Sequence, residues 1–128
     1  MYLLDTNACL DFLLARSPVI APRIERTRSR LSISAVTAAE LRVGNRKSRN
    51  PEKDAENVNV FLAIVAVEPF DSAAAEVYGE LVRAVGVQRS SFDRLIAAHA
   101  LALGLTLVTN NERHFADVPG LRVENWAR

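Results

Sequence analysis

Cysteine, lysine and long apolar runs are scarce in this chain, and each shortage removes a class of function. Cys9 is the only cysteine, so no internal disulfide can form and a reducing compartment fits. No histidine stands near it in sequence, and its place in the first helical stretch suits a small apolar packing residue, not a nucleophile. No apolar run approaches the roughly 20 residues that a membrane-spanning helix needs, and no basic region followed by an apolar core opens the chain. A soluble, cytoplasmic protein with no membrane partner is expected. Only Lys47 and Lys53 are lysines; the other 14 of the 16 basic residues are arginine. The planar arginine fork matches phosphate and carboxylate geometry, which leans towards a phosphate-bearing or acidic partner, although a GC-rich genome produces the same skew. A formal charge of +1 does not force indiscriminate nucleic-acid binding.

What is present is enough apolar material for one domain over residues 1–128, with 49% of the chain hydrophobic and a core large enough to fold alone. Short runs rich in Leu, Ile and Val occur at Tyr2–Leu4, Leu31–Ser34, Ile64–Val67, Leu105–Val108 and Leu121–Val123. Between them lie stretches of helical periodicity: Asn7–Arg16, Pro18–Arg28, Thr37–Lys47, Pro51–Ala63, Ser72–Val85 and Asp93–Leu103. Alternation of this kind predicts an α/β fold, a mostly parallel sheet of four or five strands with helices on both faces. Pro18 and Pro51 suit first-turn positions, and Gly104 suits the end of the last long helix. Asn45–Asn57 is the most polar stretch and reads as a surface turn between two helices. Trp126 is expected to close the core over the final strand.

Three acids fall where such a fold would gather them. Asp5 ends the first strand, Thr37-Ala-Ala-Glu40 opens the helix after the second, and Asp93 opens the helix before the fourth. Sites in parallel sheets form at the carboxyl ends of strands, beside the starts of the following helices. Each acid also has a structural explanation: Asp5 and Asp93 as helix N-caps, Glu40 as the second half of a capping box with Thr37. Three carboxylates at one edge would repel one another unless a cation or protons intervened. Oxygen ligands of this kind suit Mg²⁺, with Mn²⁺ as a substitute, better than zinc. Thr6, Ser34, Thr109 and Asn111 stand at or near strand ends, where they suit hydrogen bonds that support the ligands or cap turns. Arg42 and Arg46 lie four apart on one helix face, either a solvated face or a rim that guides a phosphate backbone. His99, inside the helix that Asp93 begins, faces elsewhere; His114 lies in the loop facing the acids. Neither has a third group to complete a nucleophilic triad.

The residues Leu3-Leu4-Asp5-Thr6-Asn7, Ile33 through Leu41, Phe92-Asp93-Arg94-Leu95-Ile96-Ala97-Ala98-His99-Ala100, Val108-Thr109-Asn110-Asn111 and Glu124-Asn125-Trp126 form an ordered set. With it the chain resembles, over its full length, the PIN-domain ribonucleases and specifically the VapC-type toxins of bacterial toxin–antitoxin pairs. The resemblance implies that Asp5, Glu40 and Asp93 hold one or two Mg²⁺ or Mn²⁺ ions. It implies cleavage of single-stranded or looped RNA, often tRNA or ribosomal RNA, a homodimer, and inhibition by a small VapB-like antitoxin. The dimer would use apolar helix faces, the stretch Ala73–Val85 carrying more apolar surface than the core needs. Asn111 and His114 stand where many relatives carry acids, which weakens the case for a second ion and not for the first.

Chemistry of this kind lowers the pKa of a coordinated water and stabilises charge at an in-line phosphodiester displacement. It predicts 5′-phosphate products without participation of the ribose 2′-hydroxyl. Haloacid-dehalogenase-like phosphatases need a second acid two residues after the first, where Asn7 stands, and receiver domains need a lysine after the fifth strand, which is absent. The remaining alternative is a non-catalytic PIN-fold module that only docks RNA or protein.

Overall fold

In the computed structural model, residues 1–44, 47–88 and 90–127 are described. The five short apolar runs pair into one parallel sheet: β1 (Tyr2–Leu4), β2 (Leu31–Ser34), β3 (Ala66–Glu68), β4 (Thr106–Val108) and β5 (Val123–Glu124). Their order is β3-β2-β1-β4-β5, with every neighbouring pair parallel. The chain thus winds outward from β1 in one direction and then returns to lay β4 on the other side. Side chains on a strand alternate between faces, and the core divides accordingly. Leu4, Ile33 and Val108 pack with Ala8, Cys9, Ile20, Leu41, Phe61 and Trp126 on one face. Leu3 and Leu107 pack with Leu81, Ile96, Ala97, Ala100 and Phe115 on the other. The first face is covered chiefly by α1 (Thr6–Leu13), α2 (Ile20–Thr27) and α4 (Pro51–Ile64), the second by α5 (Ser72–Val85) and α6 (Asp93–Leu103). The fold class expected from the sequence is the one found.

Two expected helix starts are displaced, each for a local reason. α3 spans Ala35–Val43 and not Thr37–Lys47, because Ser34 caps it by accepting from the Val36 amide at 3.1 Å. Thr37 is thereby in the first turn and fully buried, so the Thr37/Glu40 capping box does not form. Pro18 lies in a turn before α2, which begins at Ile20. Pro51 does open its helix, with the Asn50 side chain as cap. α4 runs on through Ile64 and pushes β3 to Ala66–Glu68. Gly104 ends α6 at φ 68°, a left-handed conformation that favours glycine. Trp126 is 1% exposed and meets Tyr2 edge-on at 5.0 Å. The apolar positions of α5 are absorbed: Ala74 and Leu81 are buried, and Val77, Tyr78 and Val85 pack against the core. The excess expected there is found instead on α4 and the edge strand, where Val60, Ile64 and Val67 are exposed. Among the described residues no helix is long and apolar enough to cross a membrane.

Candidate active site

Reversal of the winding direction leaves a crevice between β1 and β4, at the carboxyl ends of the strands. Asp5 and Thr109 stand there side by side, each one residue beyond its strand, with the Asp5 amide donating to the Val108 carbonyl at 2.9 Å. Asp5 is 1% exposed. One carboxylate oxygen, Oδ1, caps α1 by accepting from the Ala8 amide at 2.7 Å. The other, Oδ2, is buried with no hydrogen-bond partner. Burial is the main force on this carboxyl and pushes its pKa up to about 6. The nearby Thr109 hydroxyl and the Ala8 amide pull it down, while the charges of Asp93 and Asp11 push it up further. A buried carboxylate oxygen without a donor is costly to leave unpaired.

Asp93 occupies the first turn of α6 but does not cap it. The cap residue is Phe92, without a side-chain bond, and the Asp93 amide donates to Ser91 Oγ at 3.0 Å. Its carboxylate is therefore free to face the site, where Oδ2 meets His114 Nδ1 at 2.8 Å. Since Asp93 only accepts when ionised, Nδ1 is the nitrogen that carries the proton in this pair. The His114 backbone amide donates to the Asn111 carbonyl at 3.1 Å, and the Asn111 backbone amide donates to Thr109 Oγ1 at 2.9 Å. His114 and Asn111 thus join Asp93 to the strand-end residue Thr109.

Glu40 reaches the same edge from α3. Thr6 Oγ1, next in sequence to Asp5, donates to Glu40 Oε1 at 2.6 Å and shares a hydrogen bond with Thr37 Oγ1 at 3.2 Å. The like charges that act on Asp5 are those of Asp93 and Asp11. Arg42 turns away to donate to Asn59 on α4 at 2.9 Å, and Arg46 lies outside the described residues. His99 is fully buried, with Nδ1 at 2.8 Å from Ser34 Oγ and its ring edge-on to Phe70. Burial lowers its pKa, which suits a neutral imidazole tying α6 to the end of β2.

Asp11 is the acid that sequence reasoning missed. It is 4% exposed and accepts from the Asn110 side-chain amide, with Arg16 at 4.0 Å. A signal existed: Asp11 follows Ala8 by three residues, on the apolar side of α1.

Among the described residues no three His, Cys, Asp or Glu side chains form a ready-made metal cage. Magnesium does not need one, because it keeps several waters and is held by one or two carboxylates together with substrate phosphate. The unpartnered Oδ2 of Asp5, under the like charge of Asp93, fits a hard divalent cation on those terms.

Known proteins share both the sequence pattern and the fold of this chain. The model of the PIN domain matches residues 2–121. The tRNA(fMet)-specific endonuclease VapC of Salmonella typhimurium is 36% identical, covering 98% of this chain and 97% of that protein. The crystal structure of DNA-bound VapBC from Salmonella typhimurium superposes with a TM-score of 0.88 at 35% identity, covering 98% of this chain and 97% of that one. VapBC2 from Rickettsia felis, bound to a DNA fragment from their promoter, gives 0.86 at 32% identity, covering 98% of each chain. The chain belongs to the PIN-domain family and, within it, is a member of the VapC ribonucleases.

Proposed function

We propose that this chain is a divalent-metal-dependent endoribonuclease toxin that cleaves RNA and is neutralised by a VapB-like antitoxin. The observation that carries the reading is the buried, unpartnered Oδ2 of Asp5, set against Asp93 in the crevice between β1 and β4. The cap on α1 uses only Oδ1 and would be served as well by a neutral Asn or Ser, so a module that merely docked RNA would gain nothing from the buried charge. Asp5 and Asp93 would hold the ion, Mg²⁺ or Mn²⁺, through carboxylate oxygens. When bound, it supplies charge against the negative charge that develops on the phosphate and makes water a better nucleophile near neutral pH.

The remaining roles belong to the chain's own residues. His114 holds Asp93 by Oδ2, and Oδ1 would remain available as a ligand. Glu40, fixed by the Thr6 hydroxyl, orients the attacking water. Thr109 and Asn111 keep the loop after β4 in place beneath His114. The products would carry 5′-phosphates. Transfer RNA is the substrate class we favour, on the strength of the Salmonella relative named as a tRNA(fMet)-specific endonuclease.

The partner reading rests on the VapBC complexes that this fold superposes on and on a groove of about 370 Å³ beside Glu40. Leu10, Leu13, Leu14 and Val58 line it, with Asp54 and Arg16 at its rim, a lining suited to the apolar face of an antitoxin helix. The test is a map of RNA 5′ ends after brief induction. One dominant new 5′-phosphate end in a tRNA loop is expected, and an unchanged map would favour the docking module. We further propose a homodimer, with the exposed Val60, Ile64 and Val67 as the apolar surface available to it. Light scattering without antitoxin should give twice the 14.1 kDa chain mass; a strict monomer at micromolar concentration would remove the dimer.

A further inference from the structure

Phe92 is the only aromatic residue that is exposed among the described residues, at 52%. Tyr2, Phe12, Phe70 and Tyr78 are half-buried, and Phe61, Phe115 and Trp126 are buried. It immediately precedes Asp93, so its backbone lies one Cα step, about 3.8 Å, from that of an acid at the site. Folding does not require a phenylalanine there. It occupies the cap position of α6 and makes no side-chain cap bond, where Ser, Thr, Asp or Asn would satisfy an orphan amide. Its backbone, at φ −95° and ψ 9°, sits in the sparsely allowed bridge region where many active-site residues are found.

The backbone carrying the ring is held firmly. The Phe92 carbonyl accepts from the Ile96 amide at 3.1 Å. Arg94 reaches back to the Gly86 carbonyl at 3.2 Å while pairing both guanidinium nitrogens with Asp117 at 2.7 and 2.8 Å. Gln88 donates to the His114 carbonyl at 3.3 Å, tying the approach to α6 to the loop after β4. An exposed aromatic ring on the residue next to a site acid has a direct use in nucleic-acid binding: every base has a π-face, and single strands are held by stacking bases on aromatic side chains. An aromatic anchor of a protein interface sits at the centre of a cluster of other packed side chains. The sequence neighbours of Phe92 are instead Ser90, Ser91 and Asp93, with polar His114 across the site.

We infer that Phe92 is the platform on which a base flanking the scissile phosphate of single-stranded RNA stacks, which makes it a substrate-binding residue of this site. The inference rests on the ribonuclease reading above and deepens it.

The experiment compares wild type with Phe92→Ala, Phe92→Leu and Phe92→Trp on a fluorescein-labelled tRNA anticodon stem-loop. Affinity is measured in EDTA, and KM and kcat are measured in Mg²⁺. Removing the ring should weaken binding and raise KM by roughly 5- to 150-fold, the span of one base–aromatic stack, with a smaller change in kcat. Trp should restore wild-type affinity, whereas Leu, apolar but without a π-face, should behave as Ala. Melting temperatures should stay within a degree or two of wild type, because the side chain is exposed. Equal affinity in wild type and Phe92→Ala overturns the inference, and so does rescue by Leu equal to that by Trp. Unchanged RNA binding with loss of the dimer or of antitoxin capture also overturns it and assigns Phe92 to a protein interface. A wild type that neither binds nor cuts tRNA, ribosomal RNA or unstructured RNA sinks the reading of this site as a working ribonuclease and the inference with it, a result distinct from the other three.

Discussion

Asp5→Asn should abolish RNA cleavage and yet raise the melting temperature of the metal-free protein at pH 7 by roughly 10 °C. The two effects have one origin. Burial pushes the Asp5 carboxyl up to about 6, so ionised Asp5 costs the metal-free fold about 3 kcal/mol relative to a carboxylate in water. Asparagine removes the charge and keeps the helix cap, because its side-chain oxygen accepts from the Ala8 amide as Asp5 Oδ1 does at 2.7 Å, and Asn caps about as well as Asp. The new amide nitrogen takes the place of the unpartnered Oδ2 and carries no negative charge for Asp93 and Asp11 to repel. The pH dependence has a definite sign. With a folded-state pKa above the unfolded value, the carboxyl binds more protons folded than unfolded between about pH 4 and 6. The difference in stability, wild type minus variant, should therefore fall as pH rises through that window and level off above it. Denaturant melts of both proteins in EDTA from pH 4 to 8 measure it. A variant less stable than wild type at pH 7, or a difference that does not change with pH, would show that Asp5 is only a cap.

The sequence reveals the scaffold more fully than the site, for reasons of distance along the chain. α5 and α6 fall at the expected bounds because their periodicity is strong and Gly86 and Gly104 mark their ends. The start of α3 differs from the expected one because two hydroxyl residues compete for the cap. Ser34 wins by standing at the strand end, and Thr37 is left free to bond Thr6 across to α1. Glu40 thereby loses its capping explanation and keeps only contacts at the sheet edge. Asp5 and Asp93 were readable from strand ends and helix starts alone. The groups that surround them were not. Asp11 is buried through an amide 99 residues away, and His114 reaches Asp93 across 21 residues. Both contacts depend on β4 returning beside β1, a consequence of topology that no local pattern records. Arg42 illustrates the complementary limit: a long side chain on an exposed face takes the nearest acceptor, Asn59, a contact that neither a solvated face nor a phosphate-guiding rim specifies in advance.

Asp93→Asn should lower cleavage by more than about 100-fold, beyond the 10- to 100-fold typical of groups that only support a ligand, while leaving α6 intact. Capping gives no reason for a loss, since the Asp93 amide is satisfied by Ser91 Oγ and its side chain makes no cap bond. What the substitution removes is a charge that acts on Asp5 and the charge, though not the acceptor, offered to His114 Nδ1. Relief of repulsion with Asp5 favours the variant's metal-free fold, and the weaker His114 contact opposes it. The His114 side chain is about half exposed, so that contact contributes little in water, and the metal-free melting temperature should move by only a few degrees. Metal linkage separates the readings more sharply. Saturating Mn²⁺ binds the folded state alone and should raise the wild-type melting temperature in proportion to RT ln(1 + [Mn²⁺]/Kd). The variant offers a neutral amide where a hard cation wants a carboxylate, so its shift should be much smaller. Adding His114→Ala to wild type should give an intermediate shift, because Asp93 would then keep its charge and lose its orientation. An active Asp93→Asn enzyme whose Mn²⁺ shift equals that of wild type would remove Asp93 from the metal site and return it to a surface acid at a helix start.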